Sequence, residues 1–236
     1  MSERFLRAQM LLGEDAIARL STSHVAVFGL GGVGSWCAEA LARSGVGSIT
    51  LIDQDTVGLS NTNRQLCALS STMGQSKADI MAARLRDINP DAHIFSIAAR
   101  YESASRDDFF GIKYDYIVDC IDLVACKLDL IDSALQRQIP IISALGTGNK
   151  LDAEALRISD ISETSGCPFA RVMRKELRRR GITTLPVVYS TEQATEPENV
   201  EEPPPGRRSV PGSLVWVPAT AGMLLCSHVV KSLIKV

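Results

Sequence analysis

The sequence predicts an α/β protein: a Rossmann-like, mostly parallel sheet with helices on both faces and a C-terminal extension of the sheet. Three observations predict it. Short apolar runs alternate with helical periodicity through the first two thirds of the chain, the pattern of strand–helix–strand crossovers. Several of those runs are apolar at consecutive positions, as strands covered on both faces require. The first run, "VAVF", leads directly into "GLGGVGS", whose Gly29, Gly31 and Gly34 open a helix at once.

Taken in order, "HVAVF" is the first strand, followed by a helix from about Val33 to Arg43. The strand "SITLID" comes next, then a helix from about Lys77 to Ile88 that Asn89-Pro90 stops. "AHIFSI" and "YDYIVDC" are two more strands, and a helix runs near Lys127 to Gln138. Pro140 heads the strand "PIISAL", a place where its missing N–H is tolerated. Beyond Leu145 the pattern loosens into the turn "GTGNK", a strand "ALRISDI", a basic helix "PFARVMRKELRRRG" and a strand "LPVVYST". The next stretch, "EQATEPENVEEPPPGRRSVPG", holds five prolines and five glutamates with little to bury, so a mobile crossing loop is expected over about 191–212. The apolar run "SLVWV" and a helix from about Ala219 to Ile234 close the chain. The expected organisation is a single unit, 1–236, with a nucleotide-binding core at 1–150 and an extension at 151–236.

Composition narrows the function classes. With 236 residues and 45% hydrophobic content, there is ample material for a buried core. A net charge of -2 gives no global basic field, so any nucleic-acid contact must come from a local patch. The opening "MSERFLRAQMLLGEDAIARL" carries charges throughout and has no secretory pattern, which reads as cytoplasmic. Six cysteines are scattered without a C-x-x-C pair, so neither a zinc clamp nor a dithiol redox motif is spelled out. "LVWVPATAGMLLCSHVV" is 17 residues long and holds Pro218 and His228, too short and polar to span a bilayer. Membrane contact is at most peripheral.

Gly29, Gly31, Gly32 and Gly34 let the backbone approach a nucleotide, and Asp53, 24 residues past Gly29, ends the second strand where a carboxylate accepts ribose hydroxyls. To this point a nicotinamide dehydrogenase fits equally well. The stretch "DQDTVGLSNTNRQ" separates the two, placing Asn61, Asn63, Arg64 and Gln65 just past the ribose-binding edge, with Asp55 and Ser60 beside them and Lys77 opening the next helix. Two cations with amide donors suit a triphosphate, Arg64 being able to take two oxygens at once. Hydride transfer to a hydroxy acid would want a general base, usually histidine, yet His24 and His93 lie in strands and His228 in the last helix. At the end of the fourth strand, Asp122 suits a magnesium ion carried by phosphates, while Asp119 reads as a structural carboxylate.

"GLGGVGS", "LIDQDTV", "SNTNRQ", "GQSKADIMAARLRDINP" and "DCID" resemble, in order and spacing, the ubiquitin-activating-enzyme superfamily over about residues 4–150. Its bacterial members adenylate carboxylates with ATP and magnesium. The resemblance implies a ribose grip at Asp53 and phosphate contacts from Asn61, Arg64, Gln65 and Lys77. It implies a catalytic set of Arg64, Lys77 and Asp122, with Mg2+ at Asp122. Arg7, in "RFLRAQ", is similar to the arginine that reaches into a partner subunit's ATP, which implies a homodimer.

Two branches of that superfamily compete. Activators of small ubiquitin-like sulfur carriers usually hold zinc on two C-x-x-C pairs, and this chain has none, so no zinc is expected. The tRNA threonylcarbamoyladenosine dehydratase branch is similar over nearly the full chain, through "CIDLVACKLDLI", "CPFARVMRKELRRRGI", "VVYSTE" and "ATAGMLLCSHVVKSLI". That resemblance implies ATP-dependent cyclisation of the modified adenosine beside the anticodon, through an acyl adenylate. It makes tRNA the partner and a sulfur-transfer protein a further candidate; adenylation of a sulfur carrier is the alternative function.

For tRNA, "RVMRKELRRR" sets six cations in ten residues, with Arg171, Arg174 and Arg178 at helical spacing as a phosphate track. A plain solvated helix face is the competing reading. Arg207 and Arg208 in the crossing loop would close over substrate. Cys167 opens the basic helix, where a thiolate is favoured, against the reading of an inert buried thiol. Some members of the branch carry a cysteine before the last strand, and "PPPGRRSVPGSLVW" has none.

Overall fold

The structure is a computed structural model and describes residues 3–198 and 210–235. Seven strands form one sheet: β1 (His24–Phe28), β2 (Ser48–Ile52), β3 (His93–Ile97), β4 (Tyr116–Asp119), β5 (Ile141–Ala144), β6 (Leu156–Asp160) and β7 (Pro186–Ser190). Their spatial order is β3-β2-β1-β4-β5-β7-β6. Every pairing is parallel except β6 with β7, so the extension enlarges the same sheet and turns its edge antiparallel. The first four pairings carry the apolar runs expected of strands buried on both sides; Val25, Val27, Ile49, Leu51, Ile117 and Val118 are fully buried.

Helices α1 (Leu6–Leu12), α2 (Glu14–Thr22), α3 (Gly34–Arg43), α4 (Lys77–Ile88), α5 (Val124–Gln136), α6 (Pro168–Arg179) and α7 (Trp216–Ile234) complete the layers. Two core clusters divide the faces. Leu41, Met81, Leu85, Leu225 and Val229 pack on one side, and Phe28, Leu130, Ile131, Met173 and Leu177 on the other. The strand order reverses between β1 and β4, and there the crossover helices leave to opposite faces, opening a crevice at the carboxyl edge.

Two expectations need correction. The fifth helix begins at Val124, before Lys127, because Leu123 already takes the extended backbone of an N-cap. The last helix begins at Trp216, so part of "SLVWV" is its first turn. Pro218 fits there because first-turn N–H groups have no acceptor within the helix. The described ends of the crossing segment are held down: Thr195 N donates to Asn149 O at 2.9 Å, and Gly212 N to Asn149 Oδ1 at 2.6 Å. Residues 199–209, including Arg207 and Arg208, lie outside the described residues.

By length and composition α7 is long and apolar enough to cross a membrane. Half of it is buried within this fold, where Gly222 lies flush on α3; a Cβ there would stand 2.6 Å from Val33 O.

Candidate active site

Phe28 of β1, Ile52 of β2 and Asp119 of β4 end at one level of the sheet. Above them lies a cleft of about 880 Å³, whose walls include Gly31, Asp53, Arg64, Lys77, Asp122 and Gly146. Its volume suits a nucleotide with a second reactant beside it.

Glycine is required at two points of the first turn. Gly29 has φ +88°, and a Cβ on it would lie 2.7 Å from Cys120 O; a Cβ on Gly34 would lie 1.8 Å from Gly29 O. Gly31 and Gly32 face the cleft instead. The turn delivers the chain into α3, whose unsatisfied N–H groups favour an anion.

Asp53 ties this turn to the second strand. Its Oδ2 accepts from Leu30 N at 2.6 Å and its Oδ1 from Asp55 N at 2.8 Å. Burial pushes its pKa above the ordinary carboxylate value, and those two N–H donors oppose the shift. Each oxygen keeps a second lone pair for a hydroxyl donor. Lys77, at the start of α4, is buried, with Nζ 3.0 Å from Asp55 Oδ2; its backbone N donates to Asp55 O, also at 3.0 Å. The loop therefore holds the ammonium at the cleft by main chain and side chain together.

Arg64 is half-buried, and burial lowers its pKa without removing its charge. Trp36 Nε1 donates to Arg64 O at 3.1 Å, fixing its backbone. The guanidinium's partners are neutral oxygens: Nη1 donates to Ser60 O and to Asn63 Oδ1, both at 2.9 Å. An uncompensated guanidinium in a cleft is an anion site.

The structure gathers Gly31, Gly32, Asp53, Asp55, Arg64, Gln65, Lys77 and Asp122 on the cleft wall, but not all the expected contacts. Ser60, Asn61 and Asn63 are absent from that wall because the loop uses them itself: Asn61 Oδ1 accepts from Gly58 N at 3.0 Å, and Ser60 and Asn63 hold Arg64. Arg7 is exposed on α1, away from this chain's own cleft. On α6, Arg171 and Arg178 are exposed, but Arg174 turns back to donate to Thr164 O and Oγ1, so the track loses its middle member.

Lys127 is the residue that sequence reasoning missed. It is fully buried, with Nζ 2.8 Å from Asp119 Oδ2 and 2.9 Å from Ile121 O. Ser143 Oγ donates to the same Asp119 oxygen at 2.6 Å. This network fixes the short loop that carries Asp122 to the rim. A lysine on the buried side of an otherwise apolar helix stretch was the available signal.

Two cysteines line the cleft, Cys120 and Cys126, and burial raises both thiols, which makes them poor nucleophiles. Burial pushes the Cys120 thiol up to about 12. Cys167 is buried behind Gly146 and accepts from Ala170 N at 3.5 Å as the cap of α6. Among the described residues no group of three or more His, Cys, Asp or Glu side chains is placed to hold a metal ion.

Residues 5–236 match the ThiF family. The chain belongs to that family. It is similar to the tRNA threonylcarbamoyladenosine dehydratase of Bacillus subtilis, 40% identical over 100% of this chain and 96% of the relative. Crystal structures of the Escherichia coli tRNA N6-threonylcarbamoyladenosine dehydratase with ATP and with AMP superpose at TM-score 0.89 and 34% identity. They cover 99% of this chain and 94% of theirs. The sulfur carrier protein ThiS adenylyltransferase of Escherichia coli is 32% identical over 61% of this chain and 59% of its own length, a more distant likeness.

Proposed function

We propose that this ThiF-family chain is an ATP-dependent tRNA threonylcarbamoyladenosine dehydratase. The observation that carries the reading is a cleft with a buried ribose-gripping carboxylate, Asp53, and an uncompensated guanidinium, Arg64, in a chain similar end to end to dehydratases. The threonyl carboxylate attacks the α-phosphate of ATP, forming an acyl adenylate and expelling pyrophosphate. A nucleophile of the same side chain then attacks the acyl carbon and expels AMP, so the base leaves lighter by one water.

Arg64 and Lys77 stabilise the charge that develops on the phosphates, and Asp53 fixes the ribose so that the α-phosphate meets the carboxylate. Ring closure within one substituent gains from proximity, and neither step calls for a protein thiol. Asp122, exposed at the rim, fits a magnesium ion held chiefly by phosphate and water, a role that needs only one or two carboxylates. Bound there, the ion would neutralise phosphate charge.

Arg7 reaches a nucleotide only across a homodimer, and Leu6, Met10 and Leu11 beside it expose an apolar face suited to such a contact. Arg171 and Arg178 offer phosphate contacts for tRNA. A tRNA substrate and unpaired cysteines fit a reducing cytoplasm.

Pyrophosphate release tests the reading. Threonylcarbamoylated tRNA should trigger it, and anticodon-loop nucleosides should lose one water by mass spectrometry. Release triggered instead by a carrier protein with a diglycine tail would favour adenylation of a sulfur carrier.

A further inference from the structure

Asn63 does not line the cleft, yet both ends of its amide are engaged. Its Oδ1 accepts from Arg64 Nη1 at 2.9 Å, and its Nδ2 donates to Ser213 O at 2.9 Å. Ser213 belongs to the segment that runs over the cleft into α7, and Pro211 and Ser213 form part of the cleft wall. The same segment is clasped from the other side: Asn149 N donates to Gly212 O at 2.8 Å, and Trp216 Nε1 to Leu151 O at 2.7 Å. One amide therefore joins the Arg64 guanidinium to the part of the cleft wall that Pro211 and Ser213 form.

The bonds of Arg64 explain what this bridge does. Among the described residues its guanidinium donates only from Nη1, to Ser60 O and Asn63 Oδ1. The Nε–Nη2 edge is left as a fork for two anionic oxygens, the geometry in which arginine holds phosphate. Charge-assisted bonds on that edge stiffen the guanidinium, and its Nη1 bond then holds Asn63 in place. Asn63 in turn holds the carbonyl of Ser213.

Resting on the ATP reading above, we propose that Asn63 is a positioning residue that couples nucleotide occupancy at Arg64 to the order of the 211–216 wall. ATP binding then completes the wall against which the tRNA side chain is received, so nucleotide binding strengthens tRNA binding.

Hydrogen exchange of the intact protein with and without saturating ATP, beside calorimetric ATP titration, tests this. In the unsubstituted protein, ATP should slow exchange at the Gly212 and Ala219 amides, which donate to Asn149 Oδ1 and Val215 O on either side of Ser213, by about fivefold, the worth of one hydrogen bond of ordinary strength. Asn63→Asp loses the donor to Ser213 and sets a carboxylate on Arg64, so the slowing should disappear and ATP should bind more weakly, as the charge of the guanidinium is then partly neutralised. Asn63→Ala should lose the slowing and also bind ATP about fivefold more weakly. Asn63→Gln, with both amide ends, should recover part of the slowing. A merely structural role would lower the melting temperature in all three variants but leave the ATP-dependent slowing intact, which would overturn the proposal. Unchanged exchange in the unsubstituted protein despite ATP binding would overturn it too. Failure of ATP to bind that protein at all would instead remove the nucleotide reading, and this inference with it.

Discussion

The Lys127 ammonium and the Asp119 carboxylate form an ion pair 2.8 Å apart with no exposure to solvent, directly beneath the loop that lifts Asp122 to the cleft. The pair is more than a filler of the core. Lys127 also bonds Ile121 O, and Asp119 Oδ1 accepts from Ile121 N at 3.1 Å, so both polar groups of that peptide are spent on shaping the loop.

Replacing Lys127 with Met strands the Asp119 charge, and unfolding stability should fall by about 3–5 kcal/mol in a denaturant titration. The paired change Lys127→Met with Asp119→Asn should recover much of that loss, since no buried charge then stands alone.

The glycine turn gives a contrast. A methyl at Gly34 collides with Gly29 O, so Gly34→Ala should destabilise by about 3 kcal/mol or more. A Cβ on Gly31 meets only Gln65 Nε2, at 3.8 Å, and points toward the cleft. Gly31→Ala should therefore keep its melting temperature and lose ATP affinity, which calorimetry reads directly.

Asp53 makes nucleotide affinity pH-dependent. Burial raises its pKa in the folded state. Its contribution to stability is full below the unfolded-state value and is lost as pH rises through the folded one. The ribose grip requires the ionised form and runs the other way. ATP affinity should weaken as pH falls through that raised value, at a higher pH than an ordinary carboxylate would give, and Asp53→Asn should flatten the profile.

Lys77→Met removes a buried cation from the cleft wall. Turnover should fall by about a hundredfold, the usual cost of losing one preorganised electrostatic contact, with the fold intact by circular dichroism. Arg64→Lys keeps a charge but not the fork, and its main effect should be on the KM for ATP.

On α6, Arg171→Glu with Arg178→Glu should weaken tRNA binding and flatten its salt dependence, as gel-shift assays at several salt concentrations would read. Arg174→Glu should act differently: it breaks the tie to Thr164, so its first effect is on stability.

The mostly parallel sheet was legible because burial on both faces writes itself into composition, as in "HVAVF" and "SITLI". The place of Asp53 on the cleft wall was legible for a similar reason, since a strand end fixes where it must stand. The division of labour inside "SNTNRQ" was not: six polar residues in a row offer much the same chemistry on paper. Only the fold of the loop decides that Arg64 and Gln65 line the cleft while Asn61 bonds Gly58 N and Asn63 bonds Arg64 and Ser213. Arg174 was missed for the same cause, because helical spacing places a side chain on a face but does not say that Thr164 waits beside it. Lys127 was hidden by its own charge, which argues for solvent unless a buried partner is known.

The seating of Gly222 against the first turn of α3 bears on how the protein is made. The glycine turn is backed by a helix translated after all seven strands of the sheet, and Pro218 of that helix packs on Gly32. A growing polypeptide can assemble the β-layer before residues beyond 216 have emerged from the ribosome to close the cleft from behind.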